Sequence, residues 1–554
     1  MPDPAQRLAF AAALALGLSC LGASAQDEIA HRVQAGDTLE ALARHYLDAP
    51  GRWPELAARN QVANPRRLVP GSLLTIPAGL LPAASARVEF VHGQASHAHG
   101  AGGASAPLQA GGELAEGERI TVAPGGFVTV RLVDGTLVRV QADSALALRQ
   151  LRRRGRAGSA QSVLELERGG VESTVAPRQD KPRHFEIRTP QSSASVRGTQ
   201  FGVALSPDGR TLTSVTEGAV AVHAAGAALA DTGASVAAGQ GLVAGGGRLG
   251  PVQALLPAPD LSALPERFED ATWLDLALAP LAQAAAYQVE IARDAQFTQV
   301  LASARSAAPA LRLAALADGS YHLKVRALDA QGLPGQPAQR ALVVKAHPIA
   351  PLYQSAPGAT LERTSGQLVC SSVVGAARYR LQVAADAGFA TPLLDHQGTH
   401  CAAPLAALAP GRYQWRAASI RVLADGRPDQ GPFAQPQSVV VANAPTALAA
   451  QALQLRAQGD AQALHWPAEQ GQRFRLQVAR TPDFAQPLVD EELATAHWSA
   501  HALAPGSYFV RLLTRAPSGL ESGFSAPRGF RVQAAVQSGT GLPVTSSDGQ
   551  PLAR

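Results

Sequence analysis

Three sets of aromatic residues constrain this chain more than any other feature. Tyr287, Tyr379 and Phe474 each stand ten residues before a phenylalanine, at Phe297, Phe389 and Phe484. Each phenylalanine stands 24 residues before a tyrosine, at Tyr321, Tyr413 and Tyr508. Aromatics make up only 5% of the 554 residues, so this spacing marks an internal repeat of period 92 and then 95. The segments around the first anchors, AYQVEIARDAQF, RYRLQVAADAGF and RFRLQVARTPDF, alternate apolar and polar residues with the period of a strand. The segments around the last tyrosine, each opened by glycine, do the same. Each unit is therefore expected to be a β-sandwich of about 90 residues, with the repeated aromatics as core anchors. The three units fall at 263–345, 346–442 and 443–535, and a Gly/Ser/Pro-rich tail at 536–554 reads as disordered.

The glycine-tyrosine-arginine strand of each unit, and the Gly/Ser/Phe segments at Gly431 to Phe433 and Gly523 to Ser525, resemble the fibronectin type III domain. The amino-terminal residues carry a different signal. Arg7 precedes an apolar stretch from Leu8 to Leu21, and Ala23-Ser24-Ala25 forms a small-x-small cleavage site. Residues 1–25 read as an export signal, too short for a comfortable membrane span. Lipidation at Cys20 is the weaker reading, because Gly17 stands where a lipobox prefers a large aliphatic residue. No later window looks like a transmembrane segment, so the mature chain is expected in the periplasm or associated with the cell envelope. There Cys370 and Cys401 form an even pair in an oxidising compartment, and a disulfide between them would contribute roughly 3–4 kcal/mol. Two buried free thiols are the alternative.

Residues 31–77 read as strand, helix, helix, strand. Gly36-Asp37-Thr38 supplies a turn and a helix cap, Leu39, Leu42, Ala43 and Tyr46 recur at helical spacing, and Pro54 opens a second helix. Val33, Gly36, Asp37, Thr38, Leu39, Leu42, Asn60, Leu68, Pro70, Gly71, Ile76 and Pro77 resemble the LysM domain across its whole length, here taken as 30–78. That resemblance implies binding of N-acetylglucosamine-containing glycan, in bacteria the peptidoglycan strand. It places the groove between the loop bearing Gly36, Asp37, Thr38 and Leu39 and the loop bearing Asn60, Asn64, Pro65 and Leu68. Asp37 and Thr38 could equally serve only as a cap. From Leu80 the text becomes a Pro/Ala-rich linker.

Residues 86–225 alternate with period two and carry hairpin signals at Asp134-Gly135, Asp208-Gly209 and Glu217-Gly218, which predicts an all-β domain. The ordered blocks GERIT (117–121), DGT (134–136), RGG (168–170), IRTP (187–190), VRGTQF (196–201) and EGAV (217–220) resemble the FecR domain. In iron-uptake regulators that domain follows an anti-sigma segment and a membrane span, and neither is recognisable here. Arg197-Gly198-Thr199 is either a binding motif or, as favoured, a buried arginine and tight turn. Arg149, Arg152, Arg153, Arg154 and Arg156 are expected on a solvated loop between strands, with anionic wall polymers as the alternative. Residues 226–262 read as a linker. The whole is thus expected to be multidomain and mostly β.

Net charge is +5, and with lysine only at 181, 324 and 345 the basic residues are nearly all arginine, which gives little support for nucleic-acid binding. No H-E-x-x-H, P-loop or G-x-S-x-G motif occurs. His92, His97 and His99 lie in Gly/Ala/Ser-rich text without a second ligand cluster, and Glu491-Glu492 is no recognisable catalytic pair, so neither metal, cofactor nor catalysis is expected. The sequence thus describes a non-enzymatic exported protein that binds peptidoglycan and presents β domains to an unidentified envelope partner. The rivals are a ligand-sensing signalling component and a wall-remodelling enzyme with an unrecognised site.

Overall fold

The computed structural model describes residues 28–554 apart from 101–102, 155–158, 176–183, 197, 227–232, 459–460, 501–502, 534–535, 537, 541–543 and 548–554. The export signal with Cys20, Arg156, Arg197 and much of the tail lie outside the described residues. The chain divides into two compact units, Met1–Val344 and Lys345–Arg554.

The first unit opens with β1 (Glu28–Arg32), α1 (Leu39–Leu47), α2 (Trp53–Arg59) and β2 (Leu73–Pro77), β1 and β2 pairing antiparallel. Leu39, Leu42, Ala43, Leu47, Leu56, Leu74 and Ile76 close the small core, as their helical and alternating spacing requires. The following segment is no flexible linker. Leu81 is buried in that same core, and the amide of Ala84 donates to Leu151 O at 2.8 Å.

Two large sheets follow, one of nine strands and one of ten, facing each other across a core that includes Val88, Ile120, Val130, Leu146, Leu164 and Val215. Neighbours pair antiparallel except Ser159–Arg168 and His184–Arg188, which run parallel. The stretch 226–262, read as linker, carries Ala234–Ala237, Gln240–Gly245, Arg248–Leu249 and Gln253–Ala254, and these extend both sheets. Val236, Leu242 and Ala244 fill the same core, so the β domain runs on to residue 254. Short strands separated by Gly-rich turns bury too few residues each to announce themselves as a run of alternation.

The arginine run is also corrected. Arg149, Arg152 and Arg153 lie within the strand Ala145–Arg154 rather than on a loop. Arg149 pairs with Glu165, Arg152 with Glu116, and Arg153 with Asp48 at 3.7 Å. A carboxylate thus answers each of these cations: one across the strand pair, one from a turn and one from the end of α1.

Each repeat is a two-sheet sandwich. The first pairs a five-stranded sheet with the hairpin-like pair Trp273–Ala277 and Ala310–Ala314. In the second unit, sheets of six and two strands form the middle repeat, and sheets of four and three the last. The aromatic anchors are buried in all three. The tyrosine hydroxyls do more than fill space: Tyr321, Tyr413 and Tyr508 each donate to the carbonyl four residues upstream, at 2.9, 2.9 and 2.7 Å. A phenol that closes a strand entry in this way is a recurrent device of such sandwiches. Phe297, Phe389 and Phe484 each sit at positive φ (56°, 50° and 54°), a conformation uncommon outside glycine and here repeated three times. Cys370 and Cys401 are joined in the middle repeat, their Cα atoms 5.2 Å apart.

Candidate glycan-binding site

The loop between β1 and α1 is built by its own side chains. Asp37 Oδ2 accepts from the Gln34 amide at 2.7 Å and pairs with His31 Nε2 at 2.9 Å. The other imidazole nitrogen meets the Tyr46 hydroxyl at 3.0 Å. Burial works to raise the Asp37 carboxyl, but the Gln34 amide and the His31 ring prevail and hold it below its ordinary value. Thr38 caps α1, its hydroxyl accepting from Ala41 N at 3.1 Å, and Gly36 turns the chain at φ 94°.

The second loop is fixed by Asn60. Its Oδ1 accepts from Thr75 N at 2.6 Å, while Nδ2 donates to Thr75 O at 2.8 Å and Leu56 O at 2.9 Å. One side-chain amide thereby pairs the free edge of β2 and the end of α2. Asn64 Oδ1 accepts from Arg66 N at 3.1 Å, a turn of the Asx type.

Of the residues expected at the groove, then, Asp37, Thr38 and Asn60 spend their polar atoms on the fold. Leu39 turns into the core, at 1% exposure, so its side chain is not a groove contact. Gly36 and Asn64 are exposed, and Pro65 and Leu68 are half-buried. Among the described residues, the amides of Gly36, Thr38 and Leu39 donate to no partner. Val69 and Leu73, not singled out in the sequence, are exposed at 67% and 66% beside a turn tied to Val33 by the Gly71 amide at 2.8 Å. Their β-branched and aliphatic character within an otherwise polar loop is the signal that could have found them.

A second constellation escaped the sequence reading altogether. Five charged side chains meet where the two-sheet β domain packs on the first repeat. Arg139 pairs with Glu172 and, at 3.1 Å, with Glu290. Lys324 reaches Glu290 at 2.6 Å and Glu172 at 3.0 Å, and Arg326 reaches Glu172 at 2.6 Å. Arg139, Glu290 and Lys324 are 7%, 3% and 5% exposed. Burial alone would raise the Glu172 carboxyl, yet Arg139, Arg326 and Lys324 hold it well below its ordinary value. Burial and the nearby Arg139 draw the Lys324 ammonium down. Around the charges, Arg139 donates to Phe297 O at 2.8 Å, Thr129 to Thr298 O at 2.6 Å, and Phe127 packs on Phe297 and Val300. Ion pairs and apolar packing hold the β domain and first repeat together, while Arg139 Nε, Arg326 Nε and Glu290 Oε1 are buried without a hydrogen-bond partner. Elsewhere in the β domain, Thr199 is buried and Gly198 turns at φ 67°. His97 pairs with Glu118 at 2.9 Å, and no group of three metal-ligating side chains is present among the described residues. No helix among them is long and apolar enough to cross a membrane.

Residues 31–77 match the model of the LysM domain and residues 118–221 that of the FecR protein. No match was found among curated proteins. Among solved structures, the chain is similar to two crystal structures of a candidate anti-sigma factor from Parabacteroides distasonis ATCC 8503. They show 23% and 22% identity and a TM-score of 0.20, covering 24% of this chain. The chain spans 59% of the length of those proteins. It is also similar to the FN1-FN3 domains of chicken CNTN1, at 13% identity and a TM-score of 0.24, over 50% of this chain and 98% of that one. LysM and FecR are binding or signalling domains without catalytic function. The chain therefore carries a LysM domain at residues 31–77 and a FecR domain at residues 118–221, followed by β-sandwich repeats.

Proposed function

We propose that this is an exported, non-enzymatic envelope protein that binds the glycan strand of peptidoglycan through residues 31–77. One observation carries the reading. The side chains of Asp37, Thr38 and Asn60 are consumed in shaping two loops, and the amides of Gly36, Thr38 and Leu39 are left without partners among the described residues. Free peptide groups on a pre-shaped loop suit the acetamido groups of N-acetylglucosamine, and the exposed Val69 and Leu73 suit the apolar sugar faces. Co-sedimentation of the full chain with purified peptidoglycan tests this. Pelleting that soluble chitotetraose competes away is expected, and a chain that stays in the supernatant would refute it.

The FecR match favours a second reading, in which the β domain communicates with a protein partner in the envelope. The first repeat, fixed to that domain by the charged joint, then belongs to the same interaction module. A pull-down from envelope extract with residues 86–344 checks it. A specific protein, lost when the joint is broken by Glu290→Ala, is the expected outcome.

A further inference from the structure

A cavity of about 680 Å³ opens beside the charged joint, between the outer face of the ten-stranded sheet and the first repeat. Its size falls in the range of small-ligand sites, roughly 300–1,000 Å³. Gln141, Glu172, Asp208, Arg210 and Asp329 in its lining are paired, but four polar side chains are left over. Among the described residues, neither the Asp143 carboxylate nor the Arg305 guanidinium has a partner, and the same holds for the Gln288 amide and the Ser303 hydroxyl. Arg326 gives one nitrogen to Glu172 but leaves its buried Nε without an acceptor.

The repeats supply the control. Gln288 and Ser303 correspond to Arg380 and Asp395 in the second repeat and to Arg475 and Asp490 in the third. There the arginine and aspartate pair with each other, at 2.8 and 2.7 Å, and a glutamine caps the carboxylate. The first repeat has lost that self-pairing at the face that lines the cavity.

We propose that this cavity is a binding site for a short peptide bearing a free carboxylate and an ammonium group. Arg305 receives the carboxylate, Asp143 the ammonium, and Gln288 and Ser303 the peptide groups between. A neutral glycan is the poorer fit, because it offers no charge to either Arg305 or Asp143. The site is independent of the LysM reading, and the test keeps the two apart.

Calorimetric titration of the full chain uses the pentapeptide Ala-Glu-Lys-Ala-Ala with free termini, its carboxy-terminal amide, and chitotetraose. The free peptide is expected to bind, with amidation and Arg305→Ala each weakening it at least tenfold, and with no further loss when the two are combined. The double substitution Gln288→Arg with Ser303→Asp, which rebuilds the pair of the other repeats, is expected to abolish peptide binding. Arg305 and Ser303 are exposed, so unchanged circular dichroism and melting temperature verify folding. Chitotetraose binding is expected to be the same in all variants. Absence of peptide binding at millimolar concentration, binding indifferent to Arg305 and to the double substitution, or displacement of the peptide by chitotetraose would each overturn the proposal.

Discussion

The first repeat and its two successors share one design and use it differently. In all three, a cation from the tyrosine strand lies over the phenylalanine held at positive φ: Lys324 over Phe297 at 4.5 Å, Arg416 over Phe389 and Arg511 over Phe484 at 4.3 Å. In all three, the residue opposite that cation accepts its hydrogen bond. In the second and third repeats this acceptor is neutral, Gln382 at 2.9 Å and Gln477 at 2.8 Å, and each arginine is sandwiched by a further ring, Phe433 or Phe524. In the first repeat the acceptor is Glu290, the cation is lysine, and the added Arg326 stands where the others have Ala418 and Leu513. A self-satisfied surface has thus become a charged socket for Arg139 and Glu172. The lesson concerns charge: the buried, neutral Gln382 and Gln477 satisfy their arginines without a neighbouring domain, whereas a buried Glu–Lys pair needs further opposite charges.

The sharpest way to break this contrast is Arg139→Ala, which removes the buried donor shared by Glu172, Glu290 and the Phe297 carbonyl. Destabilisation of the first unit by about 3–5 kcal/mol is expected in denaturant unfolding. Arg416→Ala should cost only about 1–2 kcal/mol in the second unit, since a hydrogen bond to a neutral acceptor and ring contacts are lost. Equal costs would erase the distinction. Reduction of Cys370–Cys401 comes next, expected to lower the stability of the middle repeat by roughly 3 kcal/mol and to leave the first and third unmoved. Exchange of strand amides, read repeat by repeat, distinguishes them.

Acid sharpens the contrast further. Glu172 titrates below its ordinary value of 4.5 in the folded joint, so its contribution is complete above that pH and is lost as pH falls through the folded value. Amides around Thr298 and Lys324 should therefore lose exchange protection progressively as pH falls below 4.5. Asp395 and Asp490 are also lowered, by Arg380 and Arg475, and share the sign. They are about one-third exposed, so their contribution should shrink in 0.5 M salt while the buried joint keeps its own. The smallest effect expected is that of Thr38→Ala, about 1 kcal/mol through the lost cap of α1, measured by thermal melting.

Much of this was legible in the sequence. The aromatic spacing announced three sandwiches because core anchors recur wherever the same fold is duplicated, and the turn and cap residues of 31–77 announced a capped helix and a second one opened by Pro54 between two strands. The two loops expected to hold glycan were legible as turns along the chain, but the structural work of Asp37 and Asn60 was not, since a side chain that folds a loop and one that reads a ligand look alike in one dimension. The charged joint had one faint signal. Glu290, Lys324 and Arg326 depart from the other repeats, and aligning the repeats at those positions would have exposed the change.

The sequence by itself determined the local elements and the duplication, because periodicity, turn chemistry and capping act over a few residues. Only the tertiary structure decided which charges meet. Arg139 and Glu290 are 151 positions apart, and pairing at that range follows from how two sheets stack. The same reason applies to the strands at 234–254, too short to be read alone, which became strands because a sheet edge was waiting for them.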